Sequence, residues 1–184
     1  IPRLACKVTA STAFVLVALS LHATDTSYGQ TMLVAFVLSW TGDVCLLSER
    51  STLFLAGLAF FLLAHIAFSV AFACGTLHLI AGATGLVLMC IVGALTLRWL
   101  WRRLDAFHKA AVSAYVLALV VMCSLAVSYG AASGSWLVGT GALAFAASDI
   151  SVARDRFVAP GFSNRAWGLP AYYSAQLLLA WSIA

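Results

Sequence analysis

TLFLAGLAFFLLAHIAFSVAF, residues 52–72, contains no Asp, Glu, Lys or Arg. A helix rises about 1.5 Å per residue, so a stretch of this length crosses a hydrocarbon core of about 30 Å. Working outward, comparable apolar runs lie near 4–22, 29–47, 77–97, 108–128, 133–153 and 166–183. A composition with 64% hydrophobic and 9% charged residues excludes a water-soluble domain. Backbone polar groups in lipid need internal partners, so the spans are expected to be helices packed against one another. The expected fold is therefore an all-α polytopic transmembrane helix bundle, with residues 1–184 forming a single domain of seven visible spans. The chain opens at Ile1 with neither an initiator Met nor a signal-peptide pattern, so it reads as the later part of a longer product. An eighth span is expected to precede it.

The ten Lys and Arg residues all fall on one side of this segmentation: Arg3, Lys7, Arg50, Arg98, Arg102, Arg103, Lys109, Arg154, Arg156 and Arg165. The alternate loops, expected near 23–28, 73–76 and 129–132, carry none. The positive-inside rule makes the basic side cytoplasmic and places the C-terminus opposite. The net charge of +4 is thus a topology signal rather than a nucleic-acid footprint. Cys6, Cys45, Cys74, Cys90 and Cys123 are scattered singly and read as small packing residues rather than a disulfide or metal framework. His22, His65, His78 and His108 show no paired ligand spacing either.

Of six acidic residues, only Asp43 and Asp149 lie inside spans, where an unneutralised carboxylate is costly enough to mark a task. Asp43, in SWTGDVCLL, and Asp149, in AFAASDISVA, sit at comparable depths, within about 10 Å of the inner boundary by the helical rise. They are expected to face one another across the bundle. The plainer alternative is that each pairs with a nearby cation, Lys7 for one and Arg154 or Arg165 for the other, and only fixes helix positions. Lys7, Tyr115, Tyr172, Tyr173 and Gln176 fall at a similar level, with Tyr172 and Gln176 sharing a face at i,i+4. Together these residues describe a polar chamber open towards the basic side. His65 lies deeper, about 20 Å in by the helical rise, and is either the chamber floor or an interhelical histidine.

CKVTASTAFVLVAL near the start echoes HKAAVSAYVLAL in the fifth span, and the two Asp-bearing helices repeat at a similar interval. A parallel duplication of four-helix units, with one helix missing from the front, would produce this pattern.

LSWTGDVCLL with FFLLAHIAF, and GALAFAASDISVARDRF with SNRAWGLPAYYSAQLLLA, together resemble the lysoplasmalogenase-like YhhN family over nearly the whole chain. That resemblance implies an eight-helix membrane protein that hydrolyses the vinyl ether bond of lysoplasmalogens, releasing a fatty aldehyde and glycerophosphocholine or glycerophosphoethanolamine. It implies a functional set of Asp43, His65, Asp149, Tyr173 and Gln176, with Lys7 where the family usually has Lys-Pro. Val8 follows the lysine here, and Phe68 stands where many members carry Tyr. The expected partners are a lysophospholipid and the bilayer, with no nucleic acid, no metal and no cofactor. The expected location is multi-pass, in a bacterial inner membrane or, in a eukaryote, the endoplasmic reticulum.

The chemistry matches what the residues offer. Vinyl ether hydrolysis begins with protonation of the alkene carbon remote from oxygen, giving an oxocarbenium ion that water attacks. One carboxylic acid can supply the proton while a second, ionised carboxylate stabilises the cation, as in glycoside hydrolysis. Asp43 and Asp149 would be that pair in either order. Tyr173 and Gln176 would position water or the ether oxygen, Tyr172, Tyr115 and His65 would help bind the substrate, and Lys7 or Arg165 would attract the phosphate. Two other classes use paired membrane carboxylates: a proton-coupled transporter or lipid-binding receptor, and an intramembrane aspartyl protease. The protease reading lacks its usual tyrosine-aspartate and G-x-G-D elements, since Asp149 follows Ser148 and Asp43 follows Thr41-Gly42.

Overall fold

The computed structural model describes residues 2–48 and 50–184, with side chains described from residue 6 onward. The side chain of Arg3 lies outside the described residues. The described residues form seven α-helices: α1 (Pro2–Ser20), α2 (Ser27–Cys45), α3 (Ser51–Ala73), α4 (Leu79–Leu100), α5 (Ala106–Ser133), α6 (Trp136–Phe157) and α7 (Phe162–Trp181). A 3-10 turn, Trp101–Arg103, follows α4.

Local chemistry sets several boundaries. The Thr26 hydroxyl accepts from the Gly29 N–H at 3.0 Å and opens α2. Asp105 opens α5 by accepting from the His108 N–H at 2.8 Å. That backbone bond, helped by the His108 ring, holds the exposed Asp105 carboxyl below its usual range. Gly134, with φ of 72°, ends α5 in the left-handed conformation that favours glycine.

Several expected boundaries move. Residues 129–132, expected as a loop, belong to α5. The Ser128 hydroxyl donates to the His78 carbonyl at 3.1 Å, so a segment that reads as polar is spent on packing against the start of α4. α7 begins at Phe162 rather than near 166, which puts Arg165 on a helix, and Arg154 and Arg156 belong to α6. The described cysteines are free, but Cys6, Cys74 and Cys90 are exposed rather than packed, and only Cys123 is fully buried.

Helices α3, α5, α6 and α4 with its 3-10 extension are each long and apolar enough to cross a membrane by themselves. Cys6–Ser20 of α1 is a shorter apolar stretch, and α2 and α7 carry much of the candidate site: Asp43 on one, Tyr172, Tyr173 and Gln176 on the other. This is a multi-pass membrane protein. Short connections run the sequential helices antiparallel, so the basic residues at the starts of odd helices and the ends of even ones collect at one end.

The helix neighbours are α1 with α2, α2 with α3, α3 with α5, α5 with α6, α6 with α7, and α7 with α1; α4 packs on α5 outside this closed ring. Matching α1–α3 to α5–α7 maps each neighbour pair of the ring onto another, as any closed ring of six helices does. Inside the ring, Phe14, Phe36, Phe68, Phe72 and Phe145 are fully buried. Phe68 packs on Phe36 with ring centroids 5.4 Å apart, so the position where the family often has Tyr belongs here to the apolar core.

α6 and α7 are in close contact at Gly168. A Cβ there would lie 2.1 Å from Ser151 Oγ and 2.6 Å from its Cβ, and that hydroxyl is fixed by donating to the Asn164 carbonyl at 2.6 Å. Gly168→Ala should therefore push the helices apart and destabilise the bundle by about 1–3 kcal/mol. Thermal unfolding in detergent checks this; an unchanged midpoint would show that the contact yields freely.

Candidate functional site

Asp43 sits two residues from the end of α2 and is 4% exposed. Two other helices supply its partners. From α1, the Ser11 hydroxyl donates to Oδ2 at 2.7 Å and Lys7 Nζ lies 3.5 Å from Oδ1. From α7, the Tyr172 hydroxyl donates to Oδ2 at 2.7 Å. Gln176, one turn further along α7, donates from Nε2 to the Tyr172 hydroxyl at 3.1 Å. The fully buried Gln176 thus steadies Tyr172 rather than lining a cavity. Tyr173 reaches back to α1, with its hydroxyl 3.3 Å from Ser11 Oγ and from the Lys7 carbonyl. Trp40 Nε1 donates to Thr12 Oγ1 at 3.1 Å and holds α2 against α1.

Asp149, on α6, has a different setting. Its Oδ2 lies 3.3 Å from Nε2 of His65 on α3. The His65 ring is fully buried, edge-on to Phe145 at 4.8 Å and to Tyr115 at 5.0 Å between ring centroids. Its other nitrogen, Nδ1, is 2.5 Å from the Phe61 carbonyl. The deep histidine is therefore an interhelical group that meets the second carboxylate, and both side chains span the depth difference implied by the helical rise. The cation pairing considered for Asp149 does not occur: Arg154 donates instead to Asn164 Oδ1, and Asn164 donates onward to Asp155 Oδ1 at 2.9 Å.

Both carboxylates line one cavity of about 1160 Å³, together with Lys7, Tyr115, Tyr172, Tyr173 and Arg165. This exceeds the usual range for small-molecule sites. Its rim includes Leu47, Ser48, Arg156 and Pro160, so it opens at the basic end of the bundle. A narrower cleft of about 80 Å³ runs between α3, α4, α5 and α6 past Leu58, Met89, Gly93 and Val116. Asp149 and Tyr115 line both spaces, whereas Asp43 lines only the larger one.

The structure thus brings Lys7, Asp43, Tyr115, Asp149, Arg165, Tyr172 and Tyr173 to one cavity, with His65 and Gln176 behind it. Ser11 and Arg156 were not among the expected residues. Lys7 and Ser11 share a face at i,i+4, a signal that could have flagged the serine. Arg156, at the mouth, lies 4.3 Å over the Phe54 ring.

A helical membrane bundle with two carboxylates on one basic-mouthed cavity defines a narrow class. The YhhN family model matches residues 3–183, and the chain belongs to that family. It is 31% identical over 155 residues to the lysoplasmalogenase TMEM86A of Bos taurus, covering 81% of this chain and 63% of that one. It is 34% identical over 152 residues to the lysoplasmalogenase TMEM86B of Sus scrofa, covering 82% and 62%. The chain therefore spans somewhat less than two thirds of the length of these relatives. No solved structure matches.

Tyr172 and Tyr173 should separate in their contributions. Tyr172→Phe removes a short bond to a buried carboxylate and leaves Gln176 Nε2 without its acceptor, a loss of about 1–3 kcal/mol. Tyr173→Phe removes only longer bonds at a half-buried site and should cost less. Denaturant or thermal unfolding of both variants checks the order; equal midpoints would contradict it.

Proposed function

We propose that this chain hydrolyses the vinyl ether bond of lysoplasmalogens, alkenyl-glycerophosphocholine or alkenyl-glycerophosphoethanolamine, to a fatty aldehyde and the glycerophospho alcohol. The observation that carries this reading is the pair of carboxylates on one cavity, joined by an apolar cleft at one of them. The lysoplasmalogenase activity named for the relatives supports the same reading.

A lysoplasmalogen has three parts with different needs, and the cavity offers a matching surface for each. Arg156, Arg165 and Lys7 suit the phosphate at the basic mouth. The apolar cleft suits the alkenyl chain. The vinyl ether would then lie between Asp43 and Asp149. Proton transfer from a carboxylic acid to the alkene carbon gives an oxocarbenium ion, which an ionised carboxylate stabilises while water adds. The resulting hemiacetal collapses to aldehyde and alcohol. In this reading the basic end is cytoplasmic, and substrate enters from that leaflet.

The test is aldehyde release by the purified protein in detergent, with alkenyl, saturated alkyl-ether and acyl lysophospholipids offered in parallel. Product from the alkenyl lipid alone supports the assignment. No product from a folded protein would favour a lipid-binding or proton-coupled carrier. Asp43→Asn and Asp149→Asn should each lower turnover by about 10²–10⁴-fold, the contribution expected of a positioned acid or base. Near-normal turnover in either variant would remove that residue from the mechanism. Met89→Trp, at the cleft wall, should shift preference towards shorter alkenyl chains, measured as kcat/KM across a chain-length series; an unchanged profile would place the chain elsewhere.

A further inference from the structure

The two carboxylates are not equivalent, and the geometry points to one order of roles. We propose that Asp149 is the proton donor, carrying its proton in the resting protein with His65 as its acceptor, and that Asp43 is the ionised partner. This assignment rests on the vinyl ether reading of the same cavity.

The argument starts at His65. Its Nδ1 lies 2.5 Å from the Phe61 carbonyl oxygen. A carbonyl oxygen only accepts, so Nδ1 carries a hydrogen. In the neutral ring Nε2 is then a bare acceptor, and it lies 3.3 Å from Asp149 Oδ2. Both atoms are buried, and neither makes a hydrogen bond of normal geometry, to the other or to any further group. Two lone-pair-bearing atoms held at that distance repel unless one carries a proton, so the pair holds one. An imidazolium with a carboxylate would put two charges among Phe145, Tyr115 and the surrounding apolar side chains, where desolvation is costly. A neutral carboxylic acid donating to a neutral imidazole carries no charge. Asp43 presents the opposite case: it has a cation, Lys7, beside it, and Ser11 and Tyr172 both donate to one of its oxygens. Two O–H donors and an ammonium suit an ionised carboxylate.

The cavity supplies a second, independent observation. Asp149 stands where the apolar cleft meets the polar chamber, whereas Asp43 lines only the chamber. With the chain in the cleft, the alkene carbon remote from oxygen lies on the Asp149 side. The carbon bonded to oxygen lies towards Asp43 and the basic mouth. The proton is needed at the first carbon and the negative charge at the second.

The protons balance around this order. Asp149 gives its proton to the alkene carbon and becomes a carboxylate. Water adds to the oxocarbenium carbon and loses a proton to Asp43. As the hemiacetal collapses, its hydroxyl proton passes to Asp149, the carbon–oxygen bond to glycerol breaks, and Asp43 returns its proton to the departing oxygen. One water is consumed and both residues return to their starting states. His65 touches no substrate atom in this scheme; it is a positioning residue that orients the Asp149 acid.

Infrared difference spectroscopy of the resting protein near neutral pH tests this without turnover, comparing wild type with Asp149→Asn, Asp43→Asn and His65→Gln. The carbonyl stretch of a protonated carboxylic acid, absent from a carboxylate, should be present in wild type. It should be lost in Asp149→Asn, retained in Asp43→Asn, and shifted in His65→Gln, where its acceptor changes. Loss in Asp43→Asn with retention in Asp149→Asn would reverse the roles, and absence of the band from wild type would show that no carboxyl proton is stored. A failed aldehyde assay leaves these spectra unchanged, so the vinyl ether reading and the assignment of roles fail separately.

Discussion

The Asp43 carboxylate is the constraint around which the bundle is organised. A buried carboxyl group is tolerated only when its oxygens are occupied, and here the occupants come from both α1 and α7. Satisfying it therefore draws the first and last described helices together and closes the ring. The aromatic packing follows the same centre: Phe61 and Phe145 meet the Tyr172 ring edge-on at 5.8 and 5.4 Å, and Phe14 does so at 6.3 Å. Those rings limit the directions from which Tyr172 can approach the carboxylate.

Around that anchor the site is polarised. One end is basic and wide, with two arginines and a lysine at its wall; the other narrows into a cleft whose walls come from α3 to α6. The ring's neighbour pattern gives each carboxylate a counterpart from the opposite half: Tyr172 on α7 serves Asp43 on α2, and His65 on α3 meets Asp149 on α6. The same architectural slot holds a hydroxyl donor in one case and an imidazole in the other. The two carboxylates are thereby chemically distinct.

Much of this was legible from residue type and depth. Charge inside an apolar run is rare enough that Asp43 and Asp149 stand out by themselves, and helical spacing brings Lys7, Tyr172 and Tyr173 to the same level. What escaped depends on contacts between helices distant in sequence. Ser11 looks like any small residue in a membrane helix until α2 is packed against α1. Gln176 shares a face with Tyr172, but periodicity does not say whether that face meets the cavity or the tyrosine's own hydroxyl. Residues 129–132 looked like a break because small and polar residues mark both loops and close helix contacts. The depths of His65 and Asp149, counted along separate helices, ignored the reach of the two side chains towards each other.

The crossed pairing has an evolutionary consequence. Residues 65 and 149 constrain one another, as do 43 and 172, although each pair is divided between halves. Substitutions tolerated across related sequences should therefore be correlated over long separations, 65 with 149 and 172 with 43, more strongly than between helix neighbours within one half. Either half diverging alone would lose the partner of the other half's acid, so the two are bound to drift together.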